Sequence, residues 1–114
     1  FHHPTCSTCK KALAWLSARD VPFTPVPIAE SPPSAEQLEA AIVRSGLPAK
    51  RFFNVSGQSY RGGGWATKVD GLSVRQAAEA LAADGMLIKR PLLLRGDVVL
   101  VGFNETAWAT QLGT

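Results

Sequence analysis

Phe1-His2-His3-Pro4-Thr5-Cys6-Ser7-Thr8-Cys9-Lys10-Lys11-Ala12-Leu13-Ala14-Trp15-Leu16 opens the chain and reads as a strand that turns into a helix, with two thiols at the junction. Cys6 and Cys9 are its only cysteines. Phe1 to His3 has the pattern of a strand end, Pro4-Thr5 of a turn, and Lys10 to Arg19 of a helix with Ala12, Leu13 and Leu16 to one side. A thiol at a helix N-terminus meets unpaired N–H groups and the positive end of the macrodipole, and both favour thiolate over thiol. At an unperturbed pKa of about 8.5 only a few per cent of a cysteine is ionised at pH 7, whereas a lowering of about two units makes most of it nucleophilic. The reading is a redox pair in which Cys6 attacks and Cys9, one turn on, resolves. Lys10 and Lys11 follow directly; either Lys10 supports the thiolate or an anion, or both lysines are simply solvated.

The same residues offer a rival chemistry. His2, His3, Cys6 and Cys9 are four zinc-donor types within eight residues, and a C-x-x-C pair is half of many zinc sites. Adjacent residues of a strand point to opposite faces, so His2 and His3 do not both reach the thiols easily. No metal is expected, with one histidine at the surface and the other against the sheet.

A length of 114 residues suits one domain with its own core. No segment is apolar over a membrane-spanning length, no signal-peptide pattern is present, and first-strand residues are expected to precede Phe1. A C-x-x-C bridge would close a single turn and add little stability, so the pair fits a reducing cytoplasm better than a secreted scaffold. The net charge of +3 is dispersed along the chain, which argues against direct nucleic-acid binding. Nothing demands more than a monomer.

Strand and helix signals alternate beyond the thiols. Phe23 to Ile28 reads as a second strand, placed at an edge by Pro25 and Pro27. With the first strand and helix it makes a right-handed βαβ unit, with Cys6 at the C-terminal end of the first strand. Ser34-Ala35-Glu36-Gln37 is a capping box opening a helix that carries Leu38, Ala41 and Ile42 and ends near Ser45-Gly46. Ser73-Val74-Arg75-Gln76 opens another, with Val74, Ala77, Ala78 and Leu81 on one face, stopped at Asp84-Gly85. The glycine-rich stretch from Arg51 to Trp65 reads as irregular. Pro91–Leu94 and Val98–Val101 form a hairpin around Arg95-Gly96-Asp97, and Asn104 caps a last helix through Trp108 to Leu112.

This order gives an α/β, thioredoxin-like fold with a small mixed four-stranded sheet and flanking helices. Its core would be residues 1–32 and 88–114, with 33–87 as a helical insertion. In such a fold the residues before the third strand face the dithiol, so Arg90-Pro91 either packs there, with Pro91 in the cis form, or merely starts an edge strand.

Trp15, Trp65 and Trp108 read as packing residues, and Glu36, Glu39 and Glu79 as solvated helix residues. Gly62-Gly63-Gly64 lacks the context of a phosphate loop. Asn54 and Ser56 lie in a loop that should approach the dithiol.

Pro-Thr-Cys-Ser-Thr-Cys-Lys-Lys-Ala, Ser-Gly-Leu-Pro, Phe-Phe-Asn-Val-Ser-Gly with Tyr60-Arg61, Asp-Gly-Met-Leu-Ile-Lys-Arg-Pro and Val-Gly-Phe-Asn-Glu occur in this order from Phe1 to about Trp108. Together they resemble the ArsC/Spx/MgsR family. The resemblance implies Cys6 in the position of the family nucleophile. It also implies Arg90-Pro91 in the position of an anion-contacting arginine and a cis-proline. Arsenate reductases of the family surround the cysteine with three arginines, as charge-assisted binding of an oxyanion requires. Here Asn54 and Gly102 stand where two of them would be, and Arg61 is near the first without occupying its place, so efficient arsenate reduction is not expected.

Two functions follow. The first is a thiol–disulfide oxidoreductase whose substrate is a small anion or a disulfide. It would need no resident cofactor and would be reset by thioredoxin or by glutathione and glutaredoxin; Lys10, Asn54, Arg61 and Pro91 would contribute to substrate binding. The second is a redox switch like the Spx regulators, which bind RNA polymerase. The resemblance gives those regulators a polar, basic C-terminal extension; none is expected after Leu112-Gly113-Thr114, and on that expectation the oxidoreductase is favoured.

Overall fold

Leu92–Arg95 (β1) and Val98–Val101 (β2) pair antiparallel, with Leu92 opposite Val101, Leu93 opposite Leu100, Leu94 opposite Val99 and Arg95 opposite Val98. The computed structural model describes residues 1–3 and 6–113, so the expected Pro4-Thr5 turn lies outside the described residues. Side chains alternate across a strand, and here both faces of the hairpin are apolar. Leu92, Leu94, Val99 and Val101 join a larger core built on Ile28, Leu38, Ile42, Phe52, Phe53, Leu81 and Ile88. Leu93, Val98 and Leu100 join a smaller one with Ala12, Trp15, Leu16 and Trp108. The helices carrying Trp15 and Trp108, α1 (Ser7–Ala18) and a C-terminal helix over Glu105–Leu112, cover the second face. On the first face lie α2 (Ala35–Ser45) and a helix over Val74–Ala83, packed against each other. Helices on both sides of a thin sheet make the α/β architecture expected.

The sheet is smaller than the four regular strands expected. His2 forms a single parallel bridge with Pro27; its N–H donates to the Val26 carbonyl at 2.9 Å and its carbonyl accepts from Ile28 N–H at 2.8 Å. Phe1 and Leu92 exchange two backbone hydrogen bonds of 2.7 and 3.1 Å, an antiparallel pair. The spatial order is therefore residues 26–28, residues 1–2, β1, β2, but only the hairpin is a regular ladder among the described residues. Phe23–Ile28 does not form the strand expected because Pro25 and Pro27 have no N–H to give a ladder.

Both capping boxes are present. Ser34 Oγ accepts from Gln37 N–H at 3.1 Å while Gln37 Oε1 accepts from Ser34 N–H at 2.9 Å; Ser73 and Gln76 repeat this with the same lengths. Between these helices the chain is more ordered than its glycines suggest. A 3₁₀ turn at Ala49–Phe52 is followed by α3 (Gln58–Gly62), α4 (Trp65–Lys68) and a second 3₁₀ turn at Val69–Gly71, before α5 (Val74–Ala83). These one-turn helices are too short to show periodicity. Burial organises them: Phe53 lies 6.1 Å from the Tyr60 ring and 5.9 Å from that of Trp65, and Phe52, Phe53 and Tyr60 are buried. After α5 a third 3₁₀ turn, Gly85–Leu87, leads to β1. An added Cβ at Gly85 would collide with the Ile28 carbonyl, so only glycine lets these backbones meet. The C-terminal helix, α6 (Glu105–Leu112), is capped by the Asn104 side chain as expected.

Candidate active site

The first helix starts three residues earlier than expected, because Cys6 is its N-cap. Cys6 has extended backbone (φ −83°, ψ 112°), and its Sγ accepts from the Cys9 N–H at 3.2 Å. Its own N–H donates to the His3 carbonyl at 3.1 Å, and its carbonyl accepts from Lys10 N–H at 3.1 Å. The first turn of α1 contains no acidic residue to compete for the positive end of the dipole. Both thiols are free; Cys6 is half-buried and Cys9 is 0% exposed.

The two sulfurs are driven apart electrostatically. Burial pushes the Cys6 thiol up. Hydrogen bonds from the Cys9 side chain and backbone, with the charge and a hydrogen bond of Arg90, outweigh it and hold Cys6 below its ordinary pKa. Burial and the hydrogen bond to Cys6 push the Cys9 thiol up to about 11, against a backbone hydrogen bond from His3 that lowers it. One thiol is set to ionise and its neighbour to remain a donor.

Arg90 supplies the charge. It is half-buried and precedes Pro91 across a cis peptide bond, as expected. Its Nη1 donates to the Met86 sulfur at 3.5 Å, and its buried Nε has no hydrogen-bond partner among the described residues. Among the described residues no carboxylate pairs with it; the ion pairs there are those of Arg44 with Asp97 and of Arg75 with Glu36, Glu39 and Glu79, at the surface. The buried Pro91 carbonyl accepts from Gly102 N–H at 2.8 Å and so ties the start of β1 to the end of β2.

The other candidates are placed less closely. Among the described residues, the groups acting on the Cys6 thiol are Cys9 and Arg90. Lys10 is exposed on the first turn of α1, and Arg61 is exposed near the end of α3. Asn54 is half-buried, donates its N–H to the Leu87 carbonyl at 2.7 Å, and is close enough that a Cβ at Gly57 would meet its Nδ2. Ser56 is exposed in the following turn. Gly102 has φ +71°, a Cβ there would press on the Lys89 side chain at 3.0 Å, and its carbonyl accepts from Trp108 Nε1 at 3.1 Å. An arginine in that place would be strained in backbone and crowded. Among the described residues no three of His, Cys, Asp and Glu gather as metal ligands, and no helix is long and apolar enough to cross a membrane. Sequence reasoning missed Met86: nothing in its spacing reveals that its sulfur meets Arg90.

The ArsC family model matches residues 1–111. This chain belongs to the ArsC family. Among its relatives, the uncharacterized protein YusI of Bacillus subtilis is 46% identical over 92% of this chain and 89% of that protein. The global transcriptional regulator Spx of Streptococcus agalactiae is 30% identical over 92% of this chain and 75% of its own length. A crystal structure of a possible arsenate reductase from Streptococcus mutans UA159 superposes with a TM-score of 0.86 at 43% identity, covering 90% of this chain and 87% of that one. The ArsC fold thus extends over both halves of the chain, including the helices between residues 33 and 87.

Proposed function

We propose that this ArsC-family protein is a thiol–disulfide oxidoreductase with Cys6 as nucleophile and Cys9 as resolving thiol. The observation that carries this reading is the opposite displacement of the two thiols, Cys6 downward and Cys9 to about 11, at one helix N-terminus beside an arginine that has no ion pair among the described residues. In the first step the Cys6 thiolate attacks one sulfur of a substrate disulfide, forms a mixed disulfide and expels the other sulfur as a thiolate. Cys9 then gives its proton to the departing group and attacks Cys6 Sγ, releasing the second substrate thiol and leaving a Cys6–Cys9 disulfide. Two electrons have passed from the protein to the substrate. An external dithiol of the thioredoxin type, or glutathione with glutaredoxin, returns them, and no resident cofactor is required. Arg90 stabilises the thiolate or an anionic group of the substrate. A reducing cytoplasm, a monomer and a thioredoxin-like core over 1–32 and 88–114 with a 33–87 insertion complete the reading.

A glutathione mixed disulfide suits the site better than arsenate. Asn54 and Gly102 stand where arginines would hold an oxyanion, and Gly102 is a poor place for a side chain. The test is steady-state consumption of NADPH through thioredoxin and glutathione recycling systems, with arsenate or a glutathionylated disulfide as substrate and Cys6→Ser as control. Turnover of the disulfide that disappears in the variant is the expected result; turnover persisting in Cys6→Ser overturns the assignment. The likeness to Spx supports a second reading, a dithiol switch read by RNA polymerase. It would be recognised by a reversible Cys6–Cys9 disulfide, no turnover, and polymerase binding that depends on oxidation state.

A further inference from the structure

We propose that Met86 is a positioning residue of the dithiol site: its thioether holds the Arg90 guanidinium towards Cys6 without neutralising it. The inference rests on the thiol chemistry proposed above and adds a part to it. A guanidinium carries five N–H donors in a fixed fork, so whatever accepts from one edge orients the rest. The acceptor for Nη1 is Met86 Sδ at 3.5 Å, while Nε is buried without a partner among the described residues and the charge acts on Cys6. A carboxylate in place of the sulfur would bind Arg90 more strongly but cancel the field that favours the thiolate. A neutral, polarisable sulfur gives orientation and packing while leaving the charge in place.

The position of Met86 is itself constrained. Its N–H donates to Asp84 Oδ1 at 3.0 Å, which starts the 3₁₀ turn. On one side Gly85 lies directly on the Ile28 carbonyl, and on the other Leu87 is 2% exposed. Ile88 N–H closes the turn on the Gly85 carbonyl at 3.2 Å. The sulfur is therefore presented from a backbone fixed at both neighbours, four residues before the arginine it contacts.

The experiment follows the rate of Cys6 alkylation by iodoacetamide against pH in the reduced full chain, with modification located by mass spectrometry and folding checked by circular dichroism. Met86→Leu keeps the volume and removes the acceptor, Met86→Gln restores a neutral acceptor, and Met86→Glu introduces a charge. The expected result is an upward move of the titration midpoint in Met86→Leu, with alkylation below the midpoint slowed roughly two- to five-fold. Met86→Gln should stay near the wild-type profile and Met86→Glu should move further than Met86→Leu. A wild-type profile in folded Met86→Leu overturns the proposal, as do equal shifts in the Leu and Gln variants. Should Met86→Leu not fold, the order of Gln and Glu decides, and a Gln variant shifted as far as Glu overturns it. Arg90→Ala is measured alongside. If it shifts the profile and no Met86 variant does, only the Met86 inference fails; if it leaves the profile unchanged, the role given to Arg90 fails as well.

Discussion

The N-terminus of α1 and those of α2 and α5 solve one structural problem with different atoms. At α2 and α5 a serine hydroxyl accepts the third helical N–H, and a glutamine at that third position returns a hydrogen bond to the serine backbone. At α1 the acceptor is a sulfur, and the third residue, Cys9, sends its side chain to the Cys6 sulfur rather than to the Cys6 backbone. Hydroxyl boxes satisfy donors and stop there. In the sulfur version the same donors face a group that can become an anion, with the Arg90 charge acting on it, whereas the charges within the serine boxes, Glu36 and Arg75, pair with each other. The difference lies in the acceptor: a thiol held below its ordinary pKa can ionise, and a serine hydroxyl does not.

The comparison is broken most severely by Cys6→Ser. A serine keeps a cap, so the fold should survive with stability changed by no more than about 1 kcal/mol, yet turnover should fall at least roughly a thousand-fold. Steady-state assay and thermal melting of the same sample check both halves. Cys9→Ser should stop the cycle one step later: the mixed disulfide between Cys6 and its substrate should accumulate as a mass increment on the protein, whereas a variant that cycles normally would remove Cys9 from the mechanism.

Arg90 sharpens the electrostatic half. Arg90→Ala should raise the pH midpoint of Cys6 alkylation, and Arg90→Lys should restore part of the lowering but less of the anion binding, because lysine keeps the charge and loses the fork. In the wild-type chain the sign is fixed by the two thiols. Cys6 reactivity should rise with pH through a midpoint below that of a free thiol and level off, while Cys9 stays protonated until the pH nears 11. A single midpoint at the ordinary thiol value would contradict the site's geometry. The smallest effects belong to the serine boxes: Ser34→Ala and Ser73→Ala should each cost about 1 kcal/mol of stability and leave the Cys6 pH profile unchanged.

Much of this was legible in the sequence where the signal is local. Ser34 with Gln37 and Ser73 with Gln76 announce their helices because a capping box is complete within four residues, and Cys6-Ser7-Thr8-Cys9 announces two thiols at a helix start for the same reason. Signals carried by partners far along the chain were not legible. Phe23–Ile28 alternates like a strand, but its prolines leave only a bridge to His2. The segment from Arg51 to Trp65 looks irregular until Phe53, Tyr60 and Trp65 are seen to share a core.

The sequence by itself determined the family, the alternation of elements and the pairing of two thiols one helical turn apart, since each is encoded in contiguous residues whose spacing matches a turn of helix or a cap. Only the tertiary structure decided which thiol is held below its ordinary pKa, that the Arg90 charge lies close enough to act on it, and that Met86 meets Arg90. The first two depend on burial and on the approach of segments some eighty residues apart, and the third on the 3₁₀ turn that presents Met86 four residues before Arg90. Pairwise electrostatic energies vary with separation and with the surrounding dielectric, and neither exists until the chain has folded.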